Sequence, residues 1–337
     1  MSSSKVLAGA LALPAFLFIA SAADVPPKTP LGLPPIAWPK DNPYSQAKAD
    51  LGRLLYFDPR LSGDETVSCA TCHAPKMGFT DNSPVSTGIR KQKGGRSAPT
   101  VINRVYSMAQ FWDGRAASLE EQSKGPIANP IEMGMTHDGA VENIRKVAGY
   151  RPLFTKAFGT EDIDIDRIAK AIACFERTVL SGNAPYDRYK RGDKKAMTAE
   201  QVRGMDIFIN KAKCDACHEG ANFTLNAYHN IGVGMDKPDP DLGRFAVTKD
   251  PRDWGSFKTP TLREIEHTGP YMHDGSLKTL DEVVEFYNKG GIANKNLAQE
   301  MKKLNLTDQD KKDLVAFLKA LSGEGWQAIT APVQLPK

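Results

Sequence analysis

The sequence predicts an all-α fold built from two similar domains with extensive loops. Helix-capping signals recur along the chain, in boxes that begin at Ser118, Thr198 and Thr279. Strand-like alternation is scarce, and Gly and Pro punctuate much of the remaining sequence. A segment that starts at Gly52 is repeated at Gly204, and each copy leads into a Cys-x-x-Cys-His motif and then a Phe-Thr pair. A repeat on this scale indicates an internal duplication.

The bulk composition is that of a soluble globular protein. Hydrophobic residues make up 41% of the 337 residues and charged residues 25%, which is enough apolar material for a sizeable core. The formal net charge of +4 is small for this length. It therefore gives no support for a nucleic-acid partner or for binding to an anionic membrane surface.

The N-terminus has the organisation of a secretory signal peptide, residues 1–22. Lys5 supplies a short basic region, residues 6–20 are apolar, and Ala20, Ser21 and Ala22 form a small-residue cleavage site. The apolar run is shorter than the roughly 20 residues that span a bilayer, which favours a cleaved signal over a membrane anchor. We therefore expect a periplasmic protein with no stable membrane insertion.

Composition and the duplication together predict how the rest of the chain is divided. Residues 23–43 are rich in Pro and are expected to form an extended arm on the surface. Residues 44–182 and 196–325 are the two predicted domains, and the linker between them is placed near 181–195.

The two Cys-x-x-Cys-His motifs predict covalent attachment of two c-type haems. Two thiols three positions apart on a helical turn reach the two vinyl groups of one haem, and the adjacent His lies beneath the iron as a ligand. A thioredoxin-like motif would accompany a βαβ pattern, and a zinc site would not require a His after each pair. Cys174 stands in an apolar helical stretch and is expected to be a buried, inert thiol. The haem-binding residues are Cys69, Cys72, His73, Cys214, Cys217 and His218.

Three further segments carry long, ordered motifs. Residues 111–133 contain FWDGR, LEEQ, GPI and NPIEM, residues 257–263 read FKTPTLR, and residues 268–275 read TGPYMHDG. These motifs resemble the signature of the bacterial di-haem cytochrome c peroxidases, and the resemblance covers about residues 44–322. It implies two cytochrome c-like haem domains with the di-haem cytochrome c peroxidase fold.

The resemblance also implies a division of labour between the domains. The N-terminal haem is the peroxidatic one, and the C-terminal haem transfers electrons. Glu132 would exchange protons with peroxide, because cleavage of the O–O bond needs a base and then an acid, and Gln122 would hold peroxide or water. Trp112 would lie between the haems. The residue types alone also permit a packed core aromatic at Trp112 and a helix-capping or Arg-paired Glu132. A calcium ion between the domains would be bound at Ser97, which is usually Asn, with Thr268 and Pro270.

Two departures from the classical peroxidase pattern indicate the MauG-like branch of the family. The loop that carries a distal His in classical members has Ile89 at that position and no His in residues 81–95, so we expect an open, five-coordinate N-terminal haem. The distal Met of the C-terminal haem is replaced by Tyr287, as in MauG. Tyrosinate is an anionic ligand that favours higher oxidation states. The alternative is that Tyr287 is one more residue on the apolar face of a helix.

One further position bears on the partner. MauG carries a Trp two residues before the first Cys of its second haem motif, through which oxidising equivalents reach a bound protein. This chain has Ala212 there, so the maturation of methylamine dehydrogenase is not implied. Another aromatic residue, such as Trp254, would have to serve a different partner.

The leading functional hypothesis is a periplasmic, peroxide-dependent oxidase with two haems c. Hydrogen peroxide would take the haem pair to a high-valent state that oxidises a redox protein partner, as in methylamine dehydrogenase cofactor maturation. The second hypothesis is a cytochrome c peroxidase that reduces hydrogen peroxide with electrons from a small c-type cytochrome. The third is a non-catalytic electron-transfer cytochrome, which would need a strong second ligand on each iron. Members of the family occur as monomers and as homodimers.

Overall fold

The computed structural model describes residues 24–337, and the predicted signal peptide of residues 1–22 lies outside them. The predicted all-α fold with extensive loops is confirmed within this range, where no helix is long and apolar enough to cross a membrane. One short antiparallel sheet pairs β1 (Tyr228–His229) with β2 (Phe257–Lys258). The helices are α1 Gln46–Tyr56, α2 Cys69–Cys72, α3 Leu119–Ala128, α4 His137–Arg145, α5 Arg151–Phe158, α6 Ile165–Glu176, α7 Pro185–Arg191, α8 Ala199–Asp206, α9 Phe245–Thr248, α10 Leu280–Asn288 and α11 Asp308–Lys319.

The duplication appears as two equivalent helix crossings, each beside its own apolar cluster. α1 packs on α6 in the first cluster, and α8 packs on α11 in the second. Gly52 and Gly204 lie at the two contacts, where an added Cβ would overlap the backbone carbonyls of Ala171 and Asp313 respectively. The repeated glycines of the sequence are therefore the positions where two helix backbones approach closely.

The predicted capping residues begin three of the helices. Thr198 and Gln201 form a reciprocal box at the start of α8. Ser118 and Thr279 each accept a hydrogen bond from the backbone N–H three residues later. These bonds satisfy N–H groups that the first turn of a helix leaves without a partner.

The segment predicted as a linker contains a helix. α7 occupies Pro185–Arg191, and Asp187 on it forms two hydrogen bonds of 2.8 Å with the guanidinium of Arg263. The two side chains are only 2% and 1% exposed. This buried ion pair anchors α7 to the segment that carries Arg263, which composition alone did not indicate.

The C-terminal tail returns to the first domain after α11. Trp326 joins the first apolar cluster, where its ring centroid lies 6.5 Å from that of Phe79. The carbonyl of Lys337 accepts a hydrogen bond of 2.8 Å from the backbone N–H of Gly149. The last residues thus extend past the predicted limit at 325 and cover part of the N-terminal domain.

Candidate haem-binding and peroxide site

The first Cys-x-x-Cys-His motif occupies a single helical turn. α2 places Cys69 and Cys72 one turn apart, and the N–H of His73 bonds to the carbonyl of Cys69 at 3.0 Å. The Nδ1 atom of His73 lies 3.3 Å from the carbonyl oxygen of Phe79. The hydroxyl of Tyr56 donates to the carbonyl of His73 at 2.7 Å, which holds the backbone of this turn in place.

The second motif repeats the arrangement. Cys214–Ala216 form a 3₁₀ turn, the N–H of His218 bonds to the first carbonyl of that turn, and Nδ1 lies 3.0 Å from the carbonyl of Phe223. Phe79 and Phe223 both have left-handed backbone angles, with φ of 56° and 51°. The repeated Phe-Thr pairs of the sequence therefore mark the carbonyls that orient the two histidines.

Both histidines are held in the form that binds a metal. A carbonyl can only accept, so we assign the ring proton to Nδ1, which leaves the Nε2 lone pair free. Burial lowers the pKa of His73, and it lowers the pKa of His218 to about 4. Both rings are therefore neutral near pH 7.

A cavity of about 240 Å³ lies against the second motif. Its lining is mostly apolar and includes His218, Cys217, Tyr287 of α10, and Trp112 from the N-terminal half of the chain. Burial raises the pKa of the Tyr287 phenol, whose hydroxyl makes no hydrogen bond to any residue of 24–337. A half-buried phenol that faces the cavity and makes no hydrogen bond is suited to bind an iron held there.

Two buried cations face the same cavity and fit a cofactor that carries carboxylates. Lys258 is 4% and Arg104 is 7% exposed, and neither forms an ion pair within the described part of the chain. Burial lowers the pKa of Lys258 to about 6 and that of Arg104 to about 10. The propionates of a haem would supply the missing negative charge. The sequence interpretation gave neither residue a role, although Lys258 stands in the FKTPTLR motif.

Trp112 lies between the two halves of the chain. Its Nε1–H donates to the carbonyl of Ser97 at 2.8 Å, and its own carbonyl accepts the N–H of Lys258 at 2.7 Å. The indole is thereby fixed between a loop that follows the first motif and strand β2. Trp112 therefore packs between the two halves of the chain and also lines the cavity.

Glu132 lies in a loop that returns over the end of α3. Its carboxylate accepts a hydrogen bond of 2.7 Å from Asn129. Burial raises the pKa of Glu132, while the charge of Arg115 and the Asn129 bond act in the opposite direction. Arg115 forms its ion pair with Asp113, and Glu132 forms no salt bridge within residues 24–337. Gln122 lies on α3 itself, and no hydrogen bond joins it to Glu132 in residues 24–337.

Ile89 anchors the loop of residues 81–95, which contains no His. The side chain is 1% exposed, and its backbone N–H donates to the carbonyl of Glu132 at 2.9 Å. Residues 81–95 are therefore tied to the Glu132 loop by a backbone hydrogen bond at Ile89, whose apolar side chain cannot bind iron.

The residues predicted to bind calcium all line the cavity that lies against the second motif. Ser97, Thr268 and Pro270 all contribute to its wall, and the carbonyl of Ser97 already accepts the Trp112 indole. Residues 24–337 contain no cluster of three His, Cys, Asp or Glu side chains that could hold a metal ion. A calcium ion here would therefore depend on carbonyl oxygens and water.

Two haem-attachment turns, each with an oriented His, define a c-type cytochrome with two haems. Residues 46–195 match the family described as di-haem cytochrome c peroxidase, and residues 201–322 match cytochrome c. The chain is 44% identical over 301 residues to the methylamine utilization protein MauG of Methylorubrum extorquens, covering 88% of this chain and 84% of the relative. It is 40% identical to the cytochrome c551 peroxidase of Nitrosomonas europaea over 288 residues, with 84% and 82% covered.

A solved structure shows the same architecture. The crystal structure of a MauG-like protein associated with microbial copper homeostasis matches with a TM-score of 0.82 and 36% identity, over 92% of this chain and 97% of the other. The chain belongs to the di-haem cytochrome c peroxidase and MauG family. The predicted fold and the predicted class of peroxide-dependent oxidoreductase are confirmed, and its cofactors are two haems c.

Proposed function

We propose that this protein is a MauG-like oxidase that uses hydrogen peroxide to oxidise a protein partner. One observation carries the proposal: Tyr287 faces the same cavity as His218 and Cys217, with no hydrogen bond to its phenol. A phenolate opposite His218 would be an anionic second ligand, which lowers the reduction potential relative to Met. A haem of low potential is a poor acceptor from small cytochromes and suits oxidation of a partner instead.

The N-terminal site supplies the residues for the reaction with peroxide. Bound haem provides the iron at which peroxide is reduced. Glu132 takes the first proton of peroxide and returns one to the leaving oxygen, which is favoured because burial raises the pKa of its carboxyl group and makes the carboxylate a stronger base. Gln122 holds peroxide or water by hydrogen bonds. Ile89 is buried and offers no ligand, so a haem held at His73 would keep a coordination position available to peroxide.

Oxidising equivalents then pass toward the partner through Trp112, which borders both halves of the chain. The position of the MauG Trp is Ala212, which is 8% exposed. Trp254 is half-buried with its ring 4.9 Å from that of Phe245, and it is the aromatic residue that we propose as the contact to the partner.

Electron paramagnetic resonance of the ferric protein tests this proposal. One high-spin and one low-spin haem are expected, and stoichiometric peroxide should abolish both signals. Turnover with a reduced small c-type cytochrome should be slow. Two low-spin haems that ignore peroxide would contradict the proposal and leave an electron carrier. Rapid steady-state turnover with cytochrome c would instead identify a cytochrome c peroxidase, as the 40% identity to such a protein allows.

The periplasm is the proposed location, because residues 1–22 have the features of a signal peptide and haem is attached to such motifs outside the cytoplasm. Calcium at Ser97, Thr268 and Pro270 is proposed as a structural ion between the domains. Metal analysis of the purified protein, with and without a chelator, tests it: one calcium per chain is expected, and none would contradict it.

A further inference from the structure

Glu176 is a buried carboxyl group outside the peroxide site. It is the last residue of α6 and is 5% exposed, and its Oε2 atom has no hydrogen-bond partner among residues 24–337. Burying a carboxylate without such bonds costs several kcal/mol, so a buried acid usually keeps its proton or gains a partner. Glu176 has no partner of that kind in the structure.

The cations near Glu176 are bound elsewhere. The guanidinium of Arg177 makes two hydrogen bonds with Glu120, at 2.6 and 2.8 Å. Arg104 donates to the side-chain oxygen of Gln110 at 2.7 and 3.1 Å. Both cations act on Glu176 only through their charge. The titratable and charged groups that face it from the surrounding segments are Tyr56, Arg104, Glu120 and Arg177.

The carboxyl lies beside the N-terminal haem attachment. The ring of Phe175, which precedes Glu176 on α6, lies 5.1 Å from the ring of Tyr56, and the hydroxyl of Tyr56 donates to the carbonyl of His73 at 2.7 Å. Cys69 packs against the same apolar cluster. Adding a charge to the haem at this turn, or removing one, would therefore shift the protonation equilibrium of the Glu176 carboxyl, because charges interact strongly through a medium of low polarity.

We propose that Glu176 is a proton-binding site coupled to electron transfer at the N-terminal haem, releasing its proton when that haem loses an electron and rebinding one when the haem is reduced. The proton passes to solvent while the electron passes to the oxidant, so the charge of the buried region stays constant. Burial raises the pKa of Glu176 to about 8, against the opposing charges of Arg177 and Arg104. Because this pKa is close to the pH of the solution, a modest change in nearby charge is enough to make Glu176 bind or release its proton. The inference rests on the proposed function, in which peroxide oxidises the N-terminal site first.

A redox titration of the holoprotein at several pH values tests the inference without peroxide. The reduction potential of the N-terminal haem should fall with rising pH around pH 8, approaching 59 mV for each tenfold change in proton activity. Glu176→Gln, which keeps the shape but cannot release a proton, should have a flat potential in this range. Glu176→Asp should restore the slope. Glu142→Gln, on the exposed face of α4, should behave like the wild type.

Two outcomes would overturn the inference. One is an equal slope in wild type and Glu176→Gln, which would assign the proton to another group such as a propionate. The other is a flat potential in the wild type. Haem content, measured as the pyridine haemochrome, confirms that each variant is loaded. A protein that passes this test but ignores peroxide would contradict the proposed function and leave the proton site intact.

Discussion

Replacing Glu132 with Gln removes the proposed proton acceptor with little change of shape. The carbonyl oxygen of Gln can still accept the 2.7 Å hydrogen bond from Asn129. The loop also stays in place, because it is held by the backbone bond of 2.9 Å from Ile89 and by the 3.2 Å bond between Met133 and Pro126. The effect of Glu132→Gln should therefore be on proton transfer and not on folding.

The expected loss of rate can be estimated because the substitution affects proton transfer and leaves folding unchanged. A positioned general acid–base group contributes roughly 10²–10⁴-fold to a rate, or about 3–5 kcal/mol in activation free energy. We expect Glu132→Gln to slow the reaction of the ferric protein with peroxide by this factor. Stopped-flow absorbance of the haems, with peroxide in excess, measures the second-order rate constant directly.

The pH dependence gives a second readout of the same residue. The carboxylate is the form that takes the peroxide proton, and burial raises the pKa of Glu132 above its ordinary value. The wild-type rate should therefore fall as pH falls through that raised pKa, and the variant should lack this step. Glu142→Gln, whose partner Lys146 is equally exposed, is the control and should react like the wild type. A fully haem-loaded Glu132→Gln protein within about tenfold of the wild-type rate would refute the reasoning.

Three further changes test the cavity and the packing. Tyr287→Met should raise the reduction potential of the C-terminal haem, since a neutral thioether replaces a phenolate; an unchanged potential in a spectroelectrochemical titration would rule out Tyr287 as a ligand. Gly204→Ala should lower the free energy of unfolding by about 1–3 kcal/mol, because the new methyl overlaps the carbonyl of Asp313. Gly95→Ala, where the added carbon meets open space, is its control in urea denaturation, and equal stability of the two would contradict the packing argument. Trp326→Ala, at a side chain 7% exposed, should cost about 3–5 kcal/mol and loosen the first domain, and a loss below about 1 kcal/mol would show that the tail is dispensable.

The parts that could be predicted are those that depend on residues close together in the chain. The two haem-attachment turns, the capping residues Ser118, Thr198 and Thr279, and the buried thiol of Cys174 were all predictable from local pattern. The family could be predicted for the same reason, since its motifs are contiguous. The catalytic roles of Glu132 and Gln122 and the ligand role of Tyr287 remain predictions that the proposed experiments address.

The surroundings of single side chains could not be predicted from local sequence pattern. The sequence interpretation assigned no role to Lys258 or Glu176, and only the tertiary structure places Lys258 of β2 on the cavity wall and buries Glu176 at the end of α6. Trp326 lies in the first cluster although it follows the last helix of the second. The sequence by itself determined the class of protein, its two haem attachments and its duplicated helices, because these depend on the spacing of residues close together in the chain. Only the tertiary structure decided which charges are buried and what they face, because burial depends on contacts between residues hundreds of positions apart.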